Sequence, residues 1–154
     1  MFIFTARFSP KKAAVFLVLV LALLAVIVLA AVKLKGAETG AGPSLQADSN
    51  EKRIEYLSSF GWQVEEQQVE EQQILIPREF SQVYEAYNEI QLSQGFDLKN
   101  YAGLDATRYT YKVTNYPGGK TGVYADLIVY SGRVIAGDIR SAALDGFIHG
   151  LEMP

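Results

Sequence analysis

Asp145 and His149 are the first candidates for chemistry, because they stand four residues apart in an apolar segment near residue 150. On a helix this spacing puts both side chains on one face, where they would form the carboxylate–imidazole pair of a small hydrolase. The alternative is structural: His149 would lie in the last helical turn before Gly150, where the helix dipole favours a cation. The sequence shows no nucleophile elbow, phosphate-binding loop or helical zinc motif. We therefore predict no catalytic residues.

Two more carboxylates, Asp126 and Asp138, interrupt segments that otherwise read as apolar strands. A carboxylate there must be paired, hydrogen-bonded or exposed. The basic residues available to pair with them are Arg108, Lys112 and Arg140. Two converging carboxylates can divide acid and base roles between them. However, a uniform register across the two-residue turn Ser131-Gly132 points them to opposite faces, so we predict structural roles.

Tyrosines form the third candidate set, since all nine lie beyond residue 55 and several fall on predicted strands. A tyrosine offers a large amphipathic contact for a peptide or a glycan. It is also a good filler of a half-buried sheet face, and we favour this structural role. We expect any binding surface on this sheet and its flanking loops. Its candidate residues are Tyr109, Tyr111, Asp138, Asp145 and His149.

The composition excludes several functional classes. With 14 Lys and Arg against 17 Asp and Glu, the net charge is −3, which argues against a nucleic-acid partner. The absence of cysteine excludes disulfides, thiolate metal sites and Cys nucleophiles, and a single His excludes multi-His metal sites. We predict neither a metal nor a cofactor.

Residues 13–32 are 20 consecutive apolar residues, the length needed for a helix to cross a bilayer. A cleaved signal peptide is the competing interpretation, although its apolar region is normally shorter. A buried core helix is a further alternative, but a helix that is apolar on every side needs a larger protein around it. We predict an uncleaved transmembrane helix in contact with the lipid bilayer.

Charge is distributed unevenly around this segment. Residues 1–35 hold five basic and no acidic residues, whereas residues 36–154 hold nine basic and all 17 acidic residues. The predicted organisation is a basic tail at 1–12, the span at 13–32, a flexible linker at 33–50 and a soluble domain at 51–154. The positive-inside rule favours a cytoplasmic tail and an extracytoplasmic domain in a single-pass cell-membrane protein.

The domain has the pattern of an α+β fold. The pentad VEEQQ occurs twice between residues 64 and 73, and its four glutamates suggest either a cation site or, as we predict, a solvated sheet edge. Asp48 and Glu51 have the spacing of a capping box. We expect two layers, with two to three helices against a mainly antiparallel sheet that ends in a three-stranded meander. The helices are predicted at about 50–60, 78–94 and 144–151, and the strands at about 73–76, 107–115, 123–130 and 133–139. The apolar stripe that predicts the second helix consists of Phe80, Val83, Tyr84, Tyr87 and Ile90.

Several short motifs together resemble a family of small bacterial proteins known as domain of unknown function 4830. The resemblance covers residues 53–151. The motifs are Gly61-Trp62-x-Val64, Ile76-Pro77-x-x-Phe80, Tyr84-x-x-Tyr87-Asn88, Gln94-Gly95-Phe96-Asp97-Leu98, Tyr109-x-Tyr111, Asn115-Tyr116-Pro117, Gly137-Asp138 and Leu144-Asp145-Gly146-Phe147-x-His149-Gly150-Leu151. It implies a bacterial cell-envelope context and no established activity.

Two functions remain open at this point. The first is a non-catalytic binding or assembly module of the envelope, with a wall polymer or another envelope protein as its partner. The second is a small extracytoplasmic hydrolase that uses Asp145 and His149. A cleft in which these two side chains converge with another polar group would favour the hydrolase.

Overall fold

The computed structural model describes residues 44–154. The predicted tail and transmembrane segment, and the linker up to residue 43, lie outside the described residues. From residue 44 onward, no helix combines the length and the apolar character that crossing a membrane requires. The elements are α1 (Asn50–Ser58), β1 (Glu70–Leu75), α2 (Gln82–Leu92), β2 (Asp105–Lys112), β3 (Val123–Tyr130), β4 (Arg133–Ser141) and β5 (Ile148–His149), with 3-10 turns at Leu98–Tyr101 and Pro117–Gly119.

The strands form one antiparallel sheet in the order β1-β2-β3-β4-β5, so the predicted α+β class is confirmed. The predicted meander corresponds to β2, β3 and β4. The strand β1 begins at Glu70, earlier than predicted, and most of its side chains are exposed at the edge of the sheet. This exposure agrees with the solvated acidic edge that the repeated pentad predicts.

Helices cover both faces of the sheet, so the expectation of two layers is wrong. On one face, Tyr56 and Leu57 of α1 join a core that includes Tyr111 and Leu127. On the other face, Tyr84 and Tyr87 of α2 pack against a second core that contains Ile128, Ile135 and Ala136. Because β3 and β4 are buried on both sides, they read as nearly continuous apolar runs.

The helix α1 is capped by Ser49, whose hydroxyl accepts a hydrogen bond from the Lys52 backbone N–H at 3.3 Å. The N-cap is therefore Ser49 and not Asp48, and the predicted capping box is wrong because Lys52, not a Glu or Gln, lies three residues after Ser49. Just before it, Ala47 is buried and its N–H donates to the Gly132 carbonyl at 2.8 Å. The part of the predicted linker around Ala47 thus belongs to the folded domain, where it covers the start of β4.

The helix α2 is shorter than predicted, since it begins only after the N-cap Ser81. Its buried face carries the polar residues Asn88 and Gln91, whereas Val83 of the predicted apolar stripe is 80% exposed. The Asn88 side-chain oxygen accepts from the Leu98 N–H at 2.9 Å, and that of Gln91 accepts from the Gly137 N–H at 3.0 Å. These amides fix the helix to the following turn and to β4.

The predicted C-terminal helix at 144–151 is wrong, because the chain makes a turn there and then forms β5. The turn is closed by a hydrogen bond from the Gly146 N–H to the Ala143 carbonyl at 3.0 Å. A Cβ at Gly146 would lie 2.7 Å from two backbone oxygens, so the turn requires glycine. Leu144 is fully exposed and Leu151 is fully buried, which is incompatible with one apolar helical stripe.

Candidate binding pocket

Asp126 and Asp138 lie directly opposite each other on the antiparallel strands β3 and β4. The prediction that they face opposite sides of the sheet is wrong because the register shifts between Ile128 and Val129. Val129 pairs with Val134 but Ile128 pairs with Ala136, which leaves one extra residue in β4. Such a β-bulge moves every later side chain of the strand to the other face. Both carboxylates therefore lie on the face covered by α2.

The two carboxylates lie in a cavity of about 380 Å³ between this face of the sheet and α2. We refer to it as the Asp138 pocket. Its polar lining residues are Tyr84, Tyr87, Arg108, Asp126, Asp138 and Arg140, and its apolar ones are Ile74, Leu75, Ile128 and Ile148. Leu75 is 62% exposed, so the pocket reaches the protein surface along β1.

Asp126 has partners for both of its side-chain oxygens. The Arg140 Nε lies 2.6 Å from its Oδ2. The Thr110 hydroxyl, one strand away on β2, donates a hydrogen bond to its Oδ1. This carboxylate is 3% exposed, and a buried charge held by an arginine and a hydroxyl is fully compensated. Asp126 is therefore a fixed part of the pocket floor.

Asp138 is satisfied at only one of its two oxygens. The Tyr87 hydroxyl donates to Oδ1 at 2.7 Å, but Oδ2 is buried and has no hydrogen-bond partner within residues 44–154. The pKa of Asp138 is raised to about 7, mainly by burial and in addition by the negative charge of the neighbouring Asp126. The hydrogen bond from Tyr87 and the charges of Arg140 and Arg108 act in the opposite direction and lower it. The Asp138 carboxyl thus changes its charge near neutral pH.

Tyr87 remains a hydrogen-bond donor under these conditions. Its pKa is raised well above 10, first by burial and then by the charge of Asp138 and the hydrogen bond to it. The proton is therefore held on the hydroxyl, which leaves Asp138 Oδ2 as the available oxygen of the pair.

Arg108 contributes a buried hydrogen-bond donor that lacks a partner in the described chain. One terminal nitrogen donates to the Gln72 side-chain oxygen at 2.7 Å and lies 3.6 Å from the Glu70 carboxylate. Its Nε is buried without a hydrogen-bond partner in the described chain. A buried polar atom without a partner costs free energy, and such atoms mark sites where another molecule completes the bonding.

This arrangement favours binding over hydrolysis by two carboxylates. Such hydrolysis needs two groups that are both free to act, one as an acid and one as a base or nucleophile. Both oxygens of Asp126 are engaged, which leaves only Asp138. Across residues 44–154, no three His, Cys, Asp or Glu side chains are grouped as a metal site would require.

The chain matches one known protein family. The model of the family described as Domain of unknown function (DUF4830) matches residues 56–139, which is more than half of the sequence. The chain belongs to the DUF4830 family. No curated protein and no solved structure matches it.

The DUF4830 match contains most of the Asp138 pocket. Tyr84, Tyr87, Arg108, Asp126 and Asp138 all lie within residues 56–139. Arg140 lies one residue beyond the matched segment. Asp145 and His149 lie outside it as well.

Asp145 and His149 do not form the pair expected on a helix. Asp145 is exposed on the turn before β5, and no ion pair within the described part of the DUF4830 domain joins it to His149. The His149 ring nitrogens instead lie 3.3 Å from the Tyr116 hydroxyl and 2.6 Å from the Gly150 carbonyl oxygen. The acid–base pair that the hydrolase hypothesis requires is therefore absent from this part of the structure.

Tyr109 and Tyr111 point away from the Asp138 pocket, to the face of the sheet that α1 covers. The buried Tyr111 hydroxyl accepts from Arg53 Nε at 2.8 Å and donates to the Asn50 side-chain oxygen at 2.8 Å. The Arg53 guanidinium lies 3.7 Å from the centre of the Tyr109 ring. Of the five candidate binding residues, only Asp138 lies in the pocket.

Tyr84 and Tyr87 were not predicted as pocket residues, although both belong to the apolar stripe of the helix predicted at 78–94. No local signal in the sequence marks the bulge that turns Asp138 toward Asp126. Val134, Ile135 and Ala136 are three apolar residues in succession, but Leu127, Ile128 and Val129 form the same kind of run in β3 without an extra residue.

Proposed function

We propose that this chain is a membrane-anchored protein of the bacterial cell envelope whose DUF4830 domain binds a small polar group in the Asp138 pocket. The observation that carries the proposal is the Asp138 Oδ2 atom, which is buried at the floor of a surface pocket without a partner among residues 44–154. A carboxylate kept in this state lowers stability, and strongly perturbed carboxyl groups in clefts cluster at functional sites.

The membrane part of the proposal rests on the 20 apolar residues at 13–32 and on the basic residues that flank them. An acidic domain is repelled by anionic lipid headgroups, so a wall polymer or an envelope protein is the favoured partner. Only residues 33–44 separate the proposed span from the first packed residues of the domain. The ligand would therefore be met close to the membrane.

The topology can be tested by cysteine labelling, because the natural chain contains no cysteine. Leu144→Cys would place a thiol at a fully exposed position of the domain, and Ser9→Cys would place one in the N-terminal tail. In intact cells, a membrane-impermeant maleimide should label the first variant and spare the second. Labelling of Ser9→Cys alone would refute the extracytoplasmic location.

Binding can be tested in cells by photocrosslinking from the rim of the pocket. The photoreactive residue p-benzoylphenylalanine would replace Leu75, which lines the pocket and is 62% exposed. The matched control is the same replacement at Val83, which is 80% exposed on α2 but does not line the pocket. We expect a specific adduct from position 75 that is lost when Asp138 is changed to alanine.

Two outcomes of the crosslinking experiment would contradict the proposed function. The first is the same set of adducts from positions 75 and 83. The second is an adduct from position 75 that persists in the Asp138→Ala background, since the pocket would then have no part in its formation. Circular dichroism of the purified variant would establish that it is folded.

A further inference from the structure

We propose that the group bound in the Asp138 pocket is a neutral amide whose N–H donates to Asp138 and whose carbonyl accepts from Arg108. This inference rests on the proposed binding function and specifies the chemistry of the ligand. Three buried side-chain atoms lack hydrogen-bond partners in the described chain, and two of them, the Oδ2 of Asp138 and the Nε of Arg108, belong to residues that line the pocket. The third, the Nε2 of Gln91, does not belong to a lining residue.

The charges around the pocket favour a neutral ligand. Two arginines and two aspartates line it, so its charges balance when Asp138 is ionised, and one ion pair, Arg140 with Asp126, is already complete. A cationic ligand would approach Arg108 and Arg140, and an anionic one would approach Asp126 and Asp138. Either would add an uncompensated charge to a largely buried site. A neutral ligand with both a donor and an acceptor avoids this cost.

The placement of Arg108 and Asp138 on different strands favours an amide over a hydroxyl. Arg108 lies on β2 and Asp138 on β4, with β3 between them, and Arg108 is level with Ala136, two residues before Asp138. Their backbones are therefore more than two strand spacings of about 4.8 Å apart. A hydroxyl has its donor and acceptor on the same atom. A secondary amide presents its N–H and its carbonyl oxygen on opposite edges of one rigid plane. An amide therefore offers a donor to Asp138 and an acceptor to Arg108 on different atoms, as residues on different strands require.

The apolar lining fits the substituents that an amide carries. Ile74, Ile128 and Ile148 line the same cavity, together with the Tyr84 ring. They offer contact to a short acyl or alkyl group beside the amide. Pockets of this composition, mostly apolar with a few placed polar groups, are typical of small-molecule sites.

Three probes of nearly the same shape and different charge test the inference: acetamide, acetate and acetamidinium. The full chain would be kept in detergent micelles and labelled at its isoleucine methyl groups for NMR. Ile128, in the pocket, reports binding, and Ile139, buried in the core on the other face, is the internal control. At pH 8, above the pKa of Asp138 of about 7, its carboxylate is mostly ionised.

We expect acetamide to shift the Ile128 signal with millimolar affinity and to leave Ile139 unchanged. Acetate and acetamidinium should bind about tenfold more weakly, the change expected when one charge-assisted hydrogen bond is lost. Asp138→Ala and Arg108→Met should each weaken acetamide binding by a similar factor. The comparison of the three probes uses the wild-type chain alone, so it holds even if a variant does not fold.

Stronger binding of acetate or of acetamidinium would overturn the amide assignment and leave the proposed binding function intact. If none of the probes moves Ile128 while the pocket-dependent adduct from position 75 is still formed, the amide assignment again fails on its own. If no probe binds and position 75 also gives no specific adduct, the proposed function fails together with it.

Discussion

Replacing Asp138 with asparagine should stabilise the protein above neutral pH and have progressively less effect toward pH 4. In the folded protein, the pKa of Asp138 is raised from its ordinary value of 3.8 to about 7. Between these values the unfolded chain has released the proton that the folded protein still holds. Stability is therefore lost as the pH rises through this interval, and the loss is constant above it. The asparagine side chain does not ionise, so its contribution to stability does not change with pH.

The magnitude follows from the width of the interval. Each pH unit between the two pKa values is worth about 1.36 kcal/mol, and the interval spans roughly three units, so the full effect is about 4 kcal/mol. Because Asp138 is only 2% exposed, screening by solvent does not reduce this figure substantially. The Tyr87 hydroxyl can donate to the asparagine oxygen as it does to Oδ1, so the exchange keeps that hydrogen bond.

The assay is urea unfolding of the full chain in detergent micelles, followed by the fluorescence of Trp62. This residue is the single tryptophan and is 1% exposed, so its emission reports loss of the core. The quantity to plot is the difference in unfolding free energy between variant and wild type, because carboxyl groups common to both proteins cancel. It should rise by about 4 kcal/mol between about pH 4 and pH 8.

Asp145→Asn is the matched control, since it makes the same chemical change at an exposed position on a turn. Its difference from wild type should stay close to zero throughout, as is usual for surface substitutions. A constant difference for Asp138→Asn across the same range would refute the reasoning. It would mean that the carboxyl is not held in a buried, poorly solvated state.

Further predictions concern the supports of the pocket and of the core, and each is checked by the same unfolding assay. Arg140→Gln should cost about 3 to 5 kcal/mol because it leaves the buried Asp126 carboxylate without its ion pair; a loss below about 1 kcal/mol would contradict this. Leu151→Ala should cost about 2 to 5 kcal/mol, whereas Leu144→Ala, at a fully exposed site, should stay within about 0.5 kcal/mol. Gly137→Ala should cost about 1 to 3 kcal/mol, since its Cβ would lie 2.8 Å from Leu151 Cδ1. Combined with Leu151→Ala, that loss should be less than additive, and strict additivity would show that the two side chains do not meet.

The sheet could be predicted from the sequence because its signals are local. The hairpin turn at Ser131-Gly132 is bounded by apolar strands, and β3 begins and ends at the predicted residues. Turn residues and strand alternation act over two to eight positions, which lie close together in the chain. The helix α2 was predicted from its apolar stripe, but it is shorter than predicted because its N-cap is Ser81.

The C-terminal helix illustrates where such local reasoning fails. Leu144, Phe147, Ile148 and Leu151 have helical spacing, but Gly146 occupies a turn that no Cβ can enter. The two middle residues then separate, with Phe147 packed against the core and Ile148 46% exposed. Spacing alone does not distinguish a helix from a turn followed by a two-residue strand. The choice depends on contacts that are distant in sequence, such as the hydrogen bonds of the Leu151 backbone with Trp62 and Gln94.

The convergence of the two aspartates was missed for a different reason. A regular two-residue hairpin register is the simplest extrapolation from the turn, and it is correct for Tyr130 and Val129. The bulge at Ile135 changes it from Ile128 onward. Ile135 and Ala136 both face the core under α2, so burial of two successive apolar side chains on one face stabilises the bulge. That burial exists only when the helix is in place.

The same helix then fixes the pocket through two polar side chains spaced one turn apart. Tyr87 donates to the Asp138 carboxylate, and Gln91 accepts from the backbone of the neighbouring Gly137. Residues four apart share one face of a helix, so a single face of α2 holds two consecutive residues of β4. The free oxygen of Asp138 is therefore positioned by a helix and a strand, not by a mobile loop. Pre-organisation of this kind lowers the entropy cost of binding a small ligand.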